Sequence, residues 1–225
     1  KAKVITANYM FANIDDVVKF TKSVEILLSD KGIFVAKKRY ALNVYDDEGL
    51  RLKVPKLKVM GLEIVRSSTP GVIRDSLREA VRLILTSDEE TLQTYVADAK
   101  KDFLSKSAEL IAFPRGCNNM KKYRSTADIY SKGTPIHVRG ALLYNFHNKK
   151  NKLKHKYPLI QDGEKIKFVY LKTPNKIGEN VISFLSTFPR EFGLDKQVDY
   201  DLQFSKSFLE PIKVIMDTIG WKPEK

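Results

Sequence analysis

The residues in this chain best suited to chemistry with an anion are three consecutive cations and an aromatic, Lys37-Lys38-Arg39-Tyr40. Arg and Lys grip phosphate oxygens, and a tyrosine adds a hydroxyl or a flat face. They follow directly on Ile33-Phe34-Val35-Ala36, a short apolar run of the kind that crosses a sheet as a buried strand. Leu42, Val44 and Tyr45 then resume the strand pattern. Cations fixed at a strand end can hold a polyanion in register. A solvated strand end is the alternative reading of such a triplet, and the residues around it favour the grip.

A second group, Arg66-Ser67-Ser68-Thr69-Pro70, sits where a helix is expected to begin. Thr69 suits an N-cap and Pro70 the first helical position, where no N–H is needed. A helix N-terminus presents unpaired N–H groups and partial positive charge, so Arg66 and the two hydroxyls suit a phosphate. Ordinary capping explains the same residues equally well.

Charge points the same way. The net charge is +13. Residues 115–176 hold 15 Lys and Arg against three acids, Asp128, Asp162 and Glu164, and the other 163 residues are nearly balanced. A localised basic footprint argues for nucleic acid more than a uniform bias does. Aromatics, Asn and His interleave with these cations, which sets the segment apart from a plain lysine-rich surface loop.

Other chemistries find little support. His137, His147 and His155 are ten and eight residues apart, and Cys117 is the only cysteine, so neither a zinc site nor an internal disulfide is expected. The acids Asp46, Asp47 and Glu48 before Gly49 read as a solvated turn rather than a metal site. Neither phosphate-loop glycine fingerprint nor a G-x-S-x-G elbow occurs. No apolar run approaches a membrane span, and Lys1–Ile5 lacks the apolar stretch of a signal peptide. A single cysteine fits a reducing cytoplasm. The chain starts at Lys1 rather than Met, which leaves room for a missing upstream part.

The elements that must position these residues follow from pattern. Residues 8–22 have a loose helical pattern, and Val24–Leu28 is a candidate strand. Ser29-Asp30-Lys31-Gly32 reads as a hairpin turn into the Ile33–Ala36 strand. Tyr40–Tyr45 and Leu50–Val54 read as pairing strands, Pro55 as an interruption, and Leu57–Val65 as another run bent at Gly61. Val72, Ile73, Leu77, Ala80, Val81, Ile84 and Leu85 make one helical stripe. Ser87-Asp88-Glu89-Glu90 fits a capping box before a second helix with Leu92, Tyr95, Val96, Ala99 and Phe103 inward. Gly133-Thr134-Pro135 repeats the cap-plus-proline start before a helix through Phe146, and a lysine-rich stretch runs from Lys149 to Lys156. Ile166–Leu171 and Val181–Leu185 read as strands. A helical region from Phe204 to Ile219 is broken near Pro211 and stopped at Gly220. The fold class expected is α+β: a small antiparallel sheet edge, then a mainly helical domain with a few strands.

These residues also resemble a known family. The run Phe34–Gly49, then Pro55–Glu63, then Ser67–Pro70, is similar to the C-terminal part of the replicative family B DNA polymerases of T-even-like bacteriophages. The similarity resumes at Pro135–Asn145 and Gly163–Lys165, and covers roughly residues 30–220. It implies a palm edge at residues 1–66 and a thumb at residues 67–225. Lys37, Lys38, Arg39 and Tyr40 look like the palm motif that holds the primer strand near its 3′ end. Arg66 and Ser67 match the palm-to-thumb junction. Arg115, Asn118, Lys122, Tyr123, His137 and Arg139 fall where thumb contacts to primer-template DNA are expected.

Departures matter as much. The family's two magnesium-binding carboxylate motifs and its nucleotide-binding helix precede the Lys-Lys-Arg-Tyr motif, and none of them is in this chain. The resemblance therefore implies the C-terminal piece of a polymerase, either one naturally split in two or one whose catalytic segment is missing from this sequence. This chain would hold no catalytic residue and no metal. An N-terminal polymerase chain, or a missing N-terminal segment, would carry the carboxylates and the Mg2+ cofactor. Gly220–Lys225 lacks the family's aromatic clamp-binding tail, which leaves a sliding clamp open as a partner. No membrane partner is expected, and the place of action would be the host cytoplasm. A stand-alone, non-catalytic DNA- or RNA-binding accessory protein is the alternative.

Overall fold

A computed structural model describes residues 3–6, 29–47, 50–125 and 128–224. The expected helix at 8–22 and strand at Val24–Leu28 lie outside the described residues, as does the Glu48-Gly49 turn. The fold is α+β, and the chain divides into two compact units. The first comprises Lys1–Asp102 with Phe208–Lys225, and the second Phe103–Ser207.

The first unit is built on a four-stranded sheet in the order β1 (Lys3–Thr6), β2 (Ser29–Ala36), β3 (Arg39–Asp47) and β4 (Leu50–Met60). β2, β3 and β4 are antiparallel neighbours, as expected. β1 is a parallel addition beside β2. The Ser29–Gly32 hairpin turn is absent. Those four residues form the first half of β2, with Lys31 opposite Asn43 and Gly32 opposite Leu42. Gly32 is there for space, because a Cβ would meet Leu42 Cδ2 at 2.5 Å.

Pro55 does not end β4. It falls where the pairing skips, between Val44 opposite Lys56 and Asp46 opposite Arg51. A bulge needs no ladder hydrogen bond from that position, so a residue without an N–H fits it. The strand-like run to Val65 stops earlier than its pattern suggests. β4 ends at Met60, Gly61 turns the chain with φ +66°, and Glu63–Val65 is a short 3-10 helix.

Helix α1 (Gly71–Thr86) buries Ile73, Leu77, Ala80, Val81, Ile84 and Leu85, six of the seven residues of the expected stripe, and leaves Val72 half-buried. It packs against β2 and β3. The cap differs from expectation. Pro70 is the N-cap residue, and the Thr69 hydroxyl donates back to the Glu63 carbonyl at 2.9 Å. Helix α2 (Glu89–Leu104) is capped by Asp88 rather than Ser87. The Asp88 carboxylate accepts the Thr91 N–H at 2.8 Å, so the capping residue lies one place further on. Tyr95 of α2 donates its hydroxyl to the Ser76 carbonyl of α1 at 3.2 Å. The C-terminal α7 (Glu210–Met216) buries Ile212, Ile215 and Met216 and packs against α1 and β2.

The second unit contains α3 (Ala108–Ile111), β5 (Phe113–Gly116), α4 (Met120–Tyr123), α5 (Ile136–Lys150), β6 (Lys165–Tyr170), β7 (Val181–Phe184) and α6 (Tyr200–Phe204). A π-helical turn, Ser205–Leu209, joins α6 to α7. β5, β6 and β7 form an antiparallel sheet in that order. Helix α5 lies along β7, and Gly140 sets the distance. A Cβ there would meet Ser183 Oγ at 2.4 Å and its backbone N at 2.8 Å. The Ser183 hydroxyl donates to the His137 carbonyl at 2.8 Å. Gln203 is fully buried and satisfied. It donates to the Ile111 carbonyl at 2.9 Å and accepts the Tyr170 N–H at 3.1 Å, tying α6 to the sheet.

Candidate nucleic-acid interface

In the first unit two of the expected contact residues, Arg39 and Arg66, meet on one carboxylate. Ala36 pairs with Arg39, so Lys37 and Lys38 form the two-residue turn between β2 and β3. Lys38 is in the left-handed region, φ 60°, a conformation usual for glycine or asparagine and uncommon for lysine. Its carbonyl rests against Gly61, where a Cβ would stand only 2.1 Å away. The turn residues Lys37 and Lys38 are exposed, and Arg39 and Tyr40 are half-buried.

Arg39 reaches Glu63, Nη2 to Oε2 at 3.2 Å. Arg66 reaches the same carboxylate, Nη1 to Oε1 at 3.3 Å, and donates through Nη2 to the Gly61 carbonyl at 3.4 Å. Glu63 thereby holds two guanidinium groups beside the Lys37-Lys38 turn, and exposed Ser67 follows Arg66 toward the start of α1. Tyr40 has a packing role as well. Its ring lies 5.8 Å from that of Phe34 and covers the buried cluster of Phe34, Leu42 and Val44.

In the second unit the expected residues divide among three places. Arg115 on β5 and His137 at the start of α5 are near one another. Burial, then the Arg115 charge, hold the His137 imidazole below its ordinary value, and a backbone hydrogen bond with Gly116 partly offsets this. Arg139 lies two residues on, and helix positions i and i+2 do not share a face. Its guanidinium stacks over Tyr130, 5.6 Å from the ring centre, and donates to Asn180. Tyr130 in turn donates to Glu179.

Asn118 and Lys122 form the third group, exposed on the loop after β5 and on α4, with Lys122 Nζ 5.6 Å from the Tyr123 ring. The loop is held by paired backbone bonds, Cys117 N–H to Glu164 O at 2.8 Å and Gly163 N–H to Cys117 O at 2.7 Å. The Asp162 carboxylate accepts the Met120 N–H at 2.7 Å where α4 begins.

The lysine-rich stretch is anchored rather than loose. Asn145 on α5 exchanges hydrogen bonds with the Ile160 backbone, at 2.8 and 2.9 Å. Buried Asn148 donates to the Tyr157 carbonyl at 2.7 Å. Lys149, Lys150, Lys152, Lys154 and Lys156 are all exposed along the segment these two residues pin.

Sequence reasoning did not single out Glu63, Tyr130, Asn180, Asn145 or Asn148. Only Glu63 carried a local signal, because it precedes Arg66 by three residues, a spacing at which opposite charges meet. The other four find their partners through the fold. Among the described residues no three His, Cys, Asp or Glu side chains converge as metal ligands. No helix among them is long and apolar enough to cross a membrane.

No model of a known protein family matches the chain. Individual curated proteins do. The chain is 33% identical over 198 residues to the DNA-directed DNA polymerase of Enterobacteria phage T4, a match covering 86% of this chain and 22% of that protein. It is 36% identical over 186 residues to the DNA-directed DNA polymerase of Escherichia phage RB69, covering 81% and 20%. A DNA polymerase of Methanocaldococcus jannaschii is 26% identical over 194 residues, covering 84% and 10%. These matches bear out the phage-polymerase resemblance read from the residues, and the chain spans about a fifth of the length of the two phage proteins.

Proposed function

We propose that this chain is the C-terminal palm edge, residues 1–66, and thumb, residues 67–225, of a family B DNA-directed DNA polymerase. It binds primer-template duplex during replication, in the host cytoplasm, and works with a polypeptide segment that carries the catalytic carboxylates and their Mg2+. The observation that carries this reading is the match to two phage DNA polymerases over more than four-fifths of the chain. The pairing of Arg39 and Arg66 on Glu63, close to the exposed Lys37-Lys38 turn, adds a physical reason. The division at residue 66 is functional, and the first compact unit includes both the palm-edge sheet and α1.

On this reading the chain's own residues act by position. Lys37 and Lys38 meet primer phosphates. Arg39 and Arg66, held by Glu63, keep fixed positive charge beside them, and Ser67 offers a hydroxyl before α1. In the thumb, Arg115, Asn118, Lys122, Tyr123, His137 and Arg139 contact the duplex. Phosphate contacts set register without reading sequence. Holding the primer 3′ end in line with the incoming phosphate lowers the entropy cost of phosphoryl transfer. The carboxylates of the partner segment would hold the Mg2+, which would supply charge neutralisation at the transferring phosphate.

The test is reconstitution. This chain is mixed with a polypeptide carrying the missing carboxylate motifs, and magnesium-dependent primer extension is measured. Extension by the mixture and by neither part alone is the expected result. A mixture that binds duplex yet never extends a primer favours a stand-alone DNA- or RNA-binding accessory protein.

A further inference from the structure

β4 carries Arg51, Lys53, Lys56 and Lys58 and no acid, and all four cations are exposed. Strict alternation would put Arg51 and Lys53 on one face of the sheet and Lys56 and Lys58 on the other, because five residues separate Arg51 from Lys56. The skip in pairing between Arg51 and Lys56 cancels that. Arg51 is opposite Asp46 and Lys56 is opposite Val44, two residues apart on β3. Cross-strand partners share a face. So Arg51, Lys56 and Lys58 lie on the face that carries Val44, Leu42 and Tyr40, and exposed Lys53 lies in the stretch between them where the pairing skips.

The row lies along the outer strand of the sheet and ends beside the candidate interface, since Met60 is opposite Tyr40. From Arg51 to Lys58 it spans roughly 20–23 Å at strand rise. We propose that this row is a second phosphate-binding track. It would carry the sugar-phosphate backbone of a nucleic-acid strand onward from the Lys37–Tyr40 turn, either a single-stranded overhang or the duplex itself. The inference rests on the nucleic-acid reading above. Arg51, Lys53, Lys56 and Lys58 together form the track.

The test uses the full chain and fluorescence anisotropy on two labelled DNAs of the same sequence, a blunt duplex and a primer-template with a long overhang, each across a salt series. The variant K53Q/K56Q/K58Q is expected to flatten the slope of log K against log salt by about 2 to 3, at 0.7 to 0.9 per phosphate released. The variant K53R/K56R/K58R is expected to keep it. Flattening on the overhang DNA alone assigns the track to single strand; flattening on both assigns it to duplex. Lys56→Gln and Lys58→Gln alone each remove about one unit of slope, which holds the test open should the triple variant misfold. An unchanged slope in all glutamine variants, with Lys38→Ala still lowering it, overturns the track and leaves the main interface standing. The cations would then serve only to guard an open sheet edge against pairing. A near-zero slope in the wild-type chain overturns both.

Discussion

Gly61 and Lys38 are fitted to each other through their backbones: the Lys38 carbonyl occupies the space a Cβ on Gly61 would need, 2.1 Å away. Both residues have positive φ, +66° for Gly61 and 60° for Lys38. The turn that presents two exposed lysines is thus set by a glycine more than twenty positions later. Gly61→Ala is expected to destabilise the fold by about 1–3 kcal/mol, from a strained φ and a backbone clash together. A urea melt checks this through a lower midpoint at unchanged m. An unaltered midpoint would mean that the turn does not depend on Gly61.

The packing of α5 on β7 is tested at Gly140. Alanine there would press on the Ser183 hydroxyl and backbone, at 2.4 and 2.8 Å. Overpacking of this kind typically costs about 1–3 kcal/mol. Ser183→Ala removes the hydroxyl but not the backbone N, so the double variant is expected to recover part of the loss and not all of it. Denaturant melts of the single and double variants give the comparison.

His137 gives a pH dependence with a definite sign. Burial, then the Arg115 charge, keep its imidazole below the ordinary 6.5 in the folded chain. The unfolded chain therefore takes up a proton first as pH falls. The corresponding stability is complete above about pH 6.5 and is lost as pH drops toward the folded value. His147 shifts in the same direction, through burial and then Lys150. Melts at pH 7.5 and 5.5 are expected to show lower stability at the acid value, and His137→Gln is expected to shrink the difference. An equal difference in the variant would contradict the assignment.

Cys117 is buried, and its thiol is pushed up to about 11 by burial and then by Asp162 and Glu164. Thiolate is the reactive form. A thiol-specific disulfide reagent at pH 8 is expected to leave the native chain unmodified over minutes and to label one thiol at once in guanidinium chloride. Rapid labelling of the native chain would place Cys117 at the surface.

Much of this architecture was legible in the residues. The α1 stripe was readable because six buried positions recur at helical spacing with charges between them. The Lys37–Tyr40 group was readable because cations interrupt a strand pattern. Gly32 misled, since glycine marks a turn by default and here makes room for Leu42 inside a strand. The α2 cap moved one residue because Ser87 and Asp88 are both good caps, and geometry selected Asp88. Asn145 and Asn148 act over distances that local patterns do not encode, and so does the contact of Glu63 with Arg39. The common face of the β4 cations was hidden for the same reason, as it depends on how β4 skips against β3.

The salt dependence of binding to a primer-template duplex tests the central claim most directly. A grip that neutralises about five phosphates predicts a slope of log K against log salt near −4 to −5, and Lys38→Ala lowers its magnitude by about one, evenly across sequences. A slope near zero, or a loss confined to particular sequences, would contradict the account.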